Sequence, residues 1–305
     1  MRNRIEACLE AVNQVVLGKE QAVRLAMACC LARGHLLIED LPGMGKSTLS
    51  YALAQVLGLS YQRIQFSADL LPSDIQGYTQ LDTDSGQLIF HSGPVFSELV
   101  LADEINCSAP KTQNAVLAII EDGQVIIDSV TQSVPEPFFV IATQNPVSQG
   151  ATSSLSESHL DRFLLRLSLG YPSAKVERQL LQGSPRKALL ETLAPLITRA
   201  DLLAVQQQVS EVEASEAVLN YILRLVEATR THAQLAFGLS PRGSMALLSA
   251  AKAWAFLEGR DEVCVDDVQA VFPFVVAHRL REQNSPGGVV SPALIKRLLA
   301  DISIL

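Results

Sequence analysis

The chain predicts an α/β fold, with a core on a mostly parallel five-stranded sheet over residues 1–170 and an all-helical domain over 171–305. Three observations predict it. His35-Leu36-Leu37-Ile38-Glu39-Asp40-Leu41-Pro42-Gly43-Met44-Gly45-Lys46-Ser47 is an apolar run, a glycine-containing loop and the opening of a helical pattern. Glu98-Leu99-Val100-Leu101-Ala102-Asp103-Glu104 is a second apolar run, short and ending in two acids. Apolar runs of this kind alternate with helical stretches until Leu169 and cease beyond Gly170-Tyr171-Pro172. Such alternation makes parallel strands joined by helical crossovers, with helices on both faces of the sheet.

In chain order, residues 5–17 and 20–33 have helical spacing, 35–39 reads as the first strand and 46–57 as the helix after the loop. Strands follow over 61–65, 99–102, 138–143 and 164–169, with a helix over 111–121. Two inserts interrupt the alternation. The first, at about 78–92, has an Asp84-Ser85-Gly86 turn between extended arms, and the second, at about 124–134, is hairpin-like. Both are longer than a crossover requires, and surplus exposed loops serve binding. Helices are expected over 173–183, 199–209, 215–231, 241–258, 265–280 and 291–303, with Ser240-Pro241 and Ser291-Pro292 as cap-plus-proline starts. The linker after Leu169 is the expected hinge, and Asn284-Ser285-Pro286-Gly287-Gly288 is expected to be mobile.

Composition excludes several classes. Hydrophobic residues make up 48% of the 305, aromatic residues 5%, and the net charge is -8. That balance opposes non-specific nucleic-acid binding, which draws its affinity from Lys and Arg on phosphates, and leaves room only for a local basic groove. No apolar run approaches the roughly 20 residues of a membrane helix. Met1-Arg2-Asn3-Arg4 leads into an amphipathic helix rather than a signal-peptide core, so the expected compartment is the cytoplasm, with membrane association only through partners. Cys8, Cys29, Cys30, Cys107 and Cys264 form no metal or disulfide spacing and read as buried thiols; the five histidines are scattered.

The chemistry sits at the ends of the predicted strands. Backbone N-H groups of the Pro42-Gly43-Met44-Gly45-Lys46-Ser47-Thr48 loop and the following helix start can encircle a triphosphate. Lys46 would neutralise β- and γ-oxygens, and the Ser47 hydroxyl would ligate Mg²⁺. A bare Gly-Lys-Ser also occurs at ordinary strand-turn-helix corners, and Asp40 stands where the general pattern has glycine. The second motif decides between the two. Asp103 would hold the Mg²⁺ shell, and Glu104 would polarise a water for attack on the γ-phosphate. Asn145, ending the fourth strand between the two motif strands, would orient that water. Arg162 lies immediately before a strand, expected at the sheet's active edge and facing outward. Arg242 lies on the first turn of a helix, where its charge opposes the macrodipole and so calls for a compensating anion.

Together these segments resemble the AAA+ ATPases, and specifically the MoxR family, over nearly the whole chain. The resemblance is carried by Glu39 to Ser47, by Asp69-Leu70-Leu71-Pro72-Ser73-Asp74-Ile75-Gln76-Gly77, by Gly93-Pro94-Val95-Phe96 and by Leu101-Ala102-Asp103-Glu104-Ile105-Asn106. It continues in Pro110-Lys111-Thr112-Gln113, Ala142-Thr143-Gln144-Asn145-Pro146, Leu160-Asp161-Arg162-Phe163 and Ser240-Pro241-Arg242. Asp40 in place of the first glycine is itself typical of the family. The resemblance implies an ATP and Mg²⁺ site, Asn145 as sensor 1, Arg162 as the arginine finger and Arg242 as sensor 2. It implies that 78–92 is the helix-2 insert, 124–134 the pre-sensor-1 hairpin and 171–305 a lid. It also implies a homo-oligomeric, hexameric ring with a chaperone-like role on a protein client, beside a von Willebrand factor A domain partner. Two stretches depart from the family pattern and are expected near a subunit boundary: Cys107-Ser108-Ala109-Pro110, where Arg-Ala-Pro-Pro is usual, and Ser153-Ser154-Leu155-Ser156-Glu157-Ser158-His159, where Tyr-Pro-Leu-Pro-Glu-Ala-Gln is usual. The alternatives are a DNA-associated motor or loader and a nucleotide-dependent scaffold with negligible turnover.

Overall fold

The computed structural model describes residues 1–84, 86–145, 155–182, 186–283 and 290–302. Ser85 at the predicted hairpin tip, Pro146, Ser153, Ser154 and the 284–288 segment lie outside them. The first half contains α1 (Arg2–Val15), α2 (Glu20–Leu31), β1 (Leu36–Glu39), α3 (Lys46–Val56), β2 (Tyr61–Gln65), α4 (Pro72–Gln76), β3 (Gly77–Leu81), β4 (Leu88–Ser92), β5 (Leu99–Asp103), α5 (Pro110–Asp122), β6 (Gln124–Ile127), β7 (Val130–Ser133), β8 (Phe139–Gln144), α6 (Glu157–Leu160) and β9 (Leu165–Leu167). The second half contains α7 (Ala174–Leu181), α8 (Arg186–Thr192), α9 (Arg199–Glu211), α10 (Glu216–Thr231), β10 (Leu235–Phe237), α11 (Pro241–Leu257), α12 (Val265–Val276), β11 (Arg281–Glu282) and α13 (Pro292–Asp301).

Five strands form one parallel sheet in the order β2-β5-β8-β1-β9. Its central strands are apolar up to their carboxyl ends, where Glu39, Asp103, Thr143 and Gln144 stand, because both faces are covered. Leu36, Ile38, Leu101 and Ile141 face a cluster built with α1, α2, α3 and the helices after residue 170. Leu37, Val100, Ala102 and Val140 face the opposite cluster, built with α4 and α5. Alternate residues of each strand therefore serve different helical layers, as the two-residue strand period requires. β3 pairs with β4 and β6 with β7 as antiparallel hairpins, so both predicted inserts are present.

The helical half is packed on the first half rather than detached from it. α11 lies against α12, α2 and α9, and one continuous apolar cluster runs from the sheet to α13. Helix starts follow side-chain caps: Ser215, Ser240 and Ser291 each accept from the backbone N-H three residues on. The expected helix over 265–280 ends early, at Val276, after Pro273 has removed one donor from its last turn. The helical half also carries the short antiparallel ribbon β10-β11, beyond what the sequence predicts. Three of the expected buried thiols, Cys8, Cys29 and Cys30, are buried, whereas Cys107 and Cys264 are only half-buried. Among the described residues no helix is long and apolar enough to cross a membrane.

Candidate nucleotide site and its arginine edge

β1 delivers the glycine loop to the carboxyl end of the sheet, and α3 starts on Lys46 directly behind it. Gly43 and Gly45 have φ of 83° and 93°, and a Cβ placed on either would meet nothing within 4 Å. Glycine is therefore required by backbone conformation, and the space in front of the loop is open, as a phosphate cradle must be. Lys46 Nζ folds back onto the loop, donating to Asp40 O at 2.7 Å and Leu41 O at 3.3 Å. Asp40 has a function that glycine could not supply. Its carboxylate accepts from the backbone N-H of Leu169, from that of Gly170 at 3.1 Å and from Ser168 Oγ at 3.1 Å. From the other side Lys19 Nζ donates to Gly170 O at 3.0 Å and Tyr171 O at 2.8 Å. The expected hinge is thus fastened to both the loop and the start of α2.

Beside the glycine loop lies a cavity of about 390 Å³, lined by Val16, Leu17, Met44, Pro172, Val176 and Leu190 among others. Its size and apolar walls are those of a small-molecule site, and its contact with Gly45 and Thr48 suits the base of a nucleotide whose phosphates rest on the loop. Gly18, at φ 68°, lets α1 turn into α2 here; a Cβ on it would come within 2.9 Å of Val176. Sequence reasoning missed this wall. The available signal was the apolar Val15-Val16-Leu17 run closing on Gly18-Lys19.

The acids stand across the loop on the neighbouring strands. Thr143 Oγ1, on β8, donates to Asp103 Oδ1 at 2.6 Å and accepts from Glu104 N at 2.8 Å, so one hydroxyl sets both motif residues. Asp103 Oδ2 also takes Arg63 Nη2 at 2.6 Å and Nε at 3.1 Å. Arg63 Nη2 donates in turn to Gln65 Oε1 at 2.9 Å, and Gln65 Nε2 donates to Glu104 Oε2 at 3.2 Å. Glu104 itself is left-handed, at φ 57°. Arg63, Gln65 and Thr143 were not foreseen; Gln65 faces Asp103 in the β2-β5 register. Asn145 follows β8, which lies between β1 and β5, and Asp40 N bonds Gln144 O at 3.2 Å beside it. Pro42, Gly43, Met44, Gly45, Lys46, Ser47, Thr48, Asp103, Glu104 and Asn145 are therefore gathered at one end of the sheet.

The two arginines are not. β1 and β9 are parallel with Leu36 opposite Leu165, so Arg162 is level with the residues before β1, at the amino end of the strands. The glycine loop leaves the other end. The expected position of Arg162 at the sheet's active edge is thus corrected by the register. Arg162 Nη2 pairs with Glu121 Oε2 at 2.8 Å, and Arg242 Nη2 pairs with Glu121 Oε1 at 2.5 Å. Glu121 is the compensating anion that Arg242 called for.

Residues 35–165 match the family described as ATPase family associated with various cellular activities (AAA), and residues 227–298 match the AAA lid domain. Chaperone MoxR1 of Mycobacterium tuberculosis is 34% identical over 321 aligned residues, covering 98% of this chain and 82% of that protein. This chain belongs to the MoxR family of AAA+ ATPases. YeaC of Bacillus subtilis is 40% identical over 97% of this chain and 93% of its own length. A crystal structure from Cytophaga hutchinsonii superimposes with a TM-score of 0.91 at 32% identity, over 99% of this chain and 95% of that one.

Within the MoxR fold, the first departure from the family pattern touches the acids directly. Cys107 Sγ lies 3.9 Å from Glu104 Oε2, and burial together with the charges of Glu104 and Asp103 pushes its thiol pKa up, so it stays protonated. In the second departure, Ser156 caps α6 and Glu157 pairs with Arg281 at 3.3 Å.

Proposed function

We propose that this protein binds ATP and Mg²⁺ on the loop of Pro42 to Thr48 and hydrolyses the nucleotide within a homo-oligomeric, hexameric ring. The observation that carries the reading is the opposition of the two ends of one sheet. Loop, acids and Asn145 occupy the carboxyl end, whereas Arg162 and Arg242 share Glu121 at the amino end side. A subunit's arginines thus lie at the end opposite its own loop and are suited to a neighbour's nucleotide. Such a trans guanidinium contributes on the order of 10³ to 10⁵ in rate.

In this reading Lys46 exchanges its two loop carbonyls for phosphate oxygens, and the open glycine loop donates its N-H groups. Ser47 and Asp103 offer a hydroxyl and a carboxylate, the oxygen donors Mg²⁺ takes. Mg²⁺ when bound neutralises charge on the phosphates. Glu104 accepts a proton from the attacking water, and Asn145 orients that water. Engagement of Glu104 requires its release from Gln65. The proposed division at residue 170 puts the loop and acids in the core and Arg242 in the lid, with Asp40 and Lys19 holding the junction.

A relative named as a chaperone supports a chaperone-like role, and we propose with it, on the family resemblance alone, a cytoplasmic protein client and a von Willebrand factor A domain protein as partner. The hairpins support it physically. Tyr78, Leu88, Ile126 and Val130 are 53%, 71%, 72% and 56% exposed, large side chains left largely open among the described residues.

ATPase measurements over a range of protein concentration test the reading. Specific activity should rise with concentration, Arg162→Ala should bind ATP normally but turn over slowly, and mixing Arg162→Ala with Lys46→Ala should restore part of the activity. A mixture that stays inactive although mixed rings form removes the trans assignment.

A further inference from the structure

The side chain of Arg279, just beyond α12, is 4% exposed, and each of its three guanidinium nitrogens donates to the loop that bears Arg162. Nε donates to Asp161 Oδ1 at 2.7 Å, and Nη2 to Asp161 O at 3.1 Å and Phe163 O at 2.6 Å. Nη1 donates to Leu164 O at 3.1 Å and, within its own helical turn, to Val275 O at 2.6 Å. The adjacent His278 Nε2 meets Phe163 O at 2.8 Å. The second oxygen of Asp161 accepts from Ser240 Oγ at 3.3 Å, and Ser240 caps α11 two residues before Arg242.

A buried ion pair is a poor source of stability compared with apolar packing, because desolvation offsets most of the attraction. Its contribution is geometric: a planar fork fixes its acceptors in direction as well as distance. Here the acceptors are the backbone immediately before and after Arg162, and the fork belongs to the helical half. The start of α11, the end of α12 and the 161–164 loop are thereby one braced corner.

We propose that Arg279 is a positioning residue for catalysis in trans, splinting the Arg162 loop to the lid so that Arg162 and Arg242 reach a neighbouring subunit as a single unit. The proposal rests on the trans reading of Arg162. It makes the lid a part of the catalytic apparatus of the next subunit. A lid displaced by its own nucleotide carries the finger with it, since α7 and α8 line the cavity beside the glycine loop.

The test uses complementing subunits. Arg162→Ala provides an intact nucleotide site without a finger, and Lys46→Ala provides a finger without a nucleotide site. Mixed rings of the two, verified by native mass spectrometry, first measure the trans effect alone; failure at this step concerns the trans reading and not Arg279. Arg279→Lys is then added to one subunit type at a time. On the finger donor it should lower kcat by about tenfold to a hundredfold with KM for ATP unchanged, as a displacement of about 1 Å does. On the site donor it should change neither parameter beyond about twofold, which distinguishes misplacement from general destabilisation. Equal losses from both subunits, or none from either, overturn the proposal. Asp161→Asn keeps the shape and removes the charge, and should reproduce the same asymmetry should Arg279→Lys fail to fold.

Discussion

The Glu104 carboxylate accepts a hydrogen bond from the Gln65 side chain at 3.2 Å. A base held in this way is less available to water, so Gln65→Ala should raise basal turnover. A net hydrogen bond of about 1 kcal/mol corresponds to roughly fivefold. Glu104→Gln should instead retain ATP binding and lose turnover. Calorimetry with a phosphate-release assay separates the two variants; unchanged turnover in Gln65→Ala would remove any restraint from this contact.

Arg63 occupies one oxygen of the carboxylate that would serve Mg²⁺, with Nη2 at 2.6 Å from Asp103. Arg63 is half exposed, so its attraction is screened. Arg63→Gln should lower the Mg²⁺ concentration for half-maximal ATP binding by roughly fivefold, the scale of an exposed ion pair. Nucleotide binding titrated against Mg²⁺ reads this directly.

Asp40→Gly restores the general phosphate-loop pattern and should nevertheless destabilise the protein. The backbone donors of Leu169 and Gly170 lose their acceptor at a largely buried position. The expected loss is about 2 to 4 kcal/mol, from two donors left unsatisfied. Urea unfolding measures it, and a neutral result would mean that water replaces the carboxylate without cost.

His35 should make the fold acid-sensitive. Burial pushes its pKa down from 6.5 to about 4, and its Nδ1 accepts from Val140 N at 3.0 Å, which only a ring unprotonated at that nitrogen can do. Between these pH values the unfolded chain binds the proton and the folded chain does not. Stability from this group is therefore complete above pH 6.5 and is lost as pH falls toward about 4, by roughly 3 kcal/mol. Urea midpoints from pH 7 to pH 4 should fall accordingly, and His35→Gln should flatten the dependence.

Replacing residues 82–87 by a short Gly-Ser turn should leave folding and ATP binding intact while weakening partner or client engagement. Among the described residues β3 and β4 pair only with each other and add nothing to the five-stranded sheet. Pull-down and client-remodelling assays provide the readout. A silent result here, together with a silent change of Ile127 to Thr131, would transfer the search to the lid surface.

What could be read from the sequence was chemistry contiguous in the chain. The glycine loop with Lys46 and Ser47, the Asp103-Glu104 strand end and both hairpins each declare themselves within one short contiguous stretch. What could not be read is assembled by register. Thr143 reaches Asp103 across β5 and β8, Arg63 reaches the same residue across β2 and β5, and Glu121 meets Arg162 and Arg242 from three separate segments. Local pattern carries no information about such meetings. The position of Arg162 is a different case, because it was legible: a motif just before a strand lies at the amino end of a parallel sheet, the side opposite the phosphates. The β10-β11 ribbon, with strands of three and two residues, is too short to show alternation.

Glu121 gives the free protomer a resident substitute for the anion its arginines are meant to find. On the trans reading, a neighbour whose loop is empty has no competing offer, and the guanidinia remain parked at home. A neighbour charged with triphosphate outbids one carboxylate. The contact between subunits then strengthens only where there is something to hydrolyse, so the ring counts its loaded seats before it closes them.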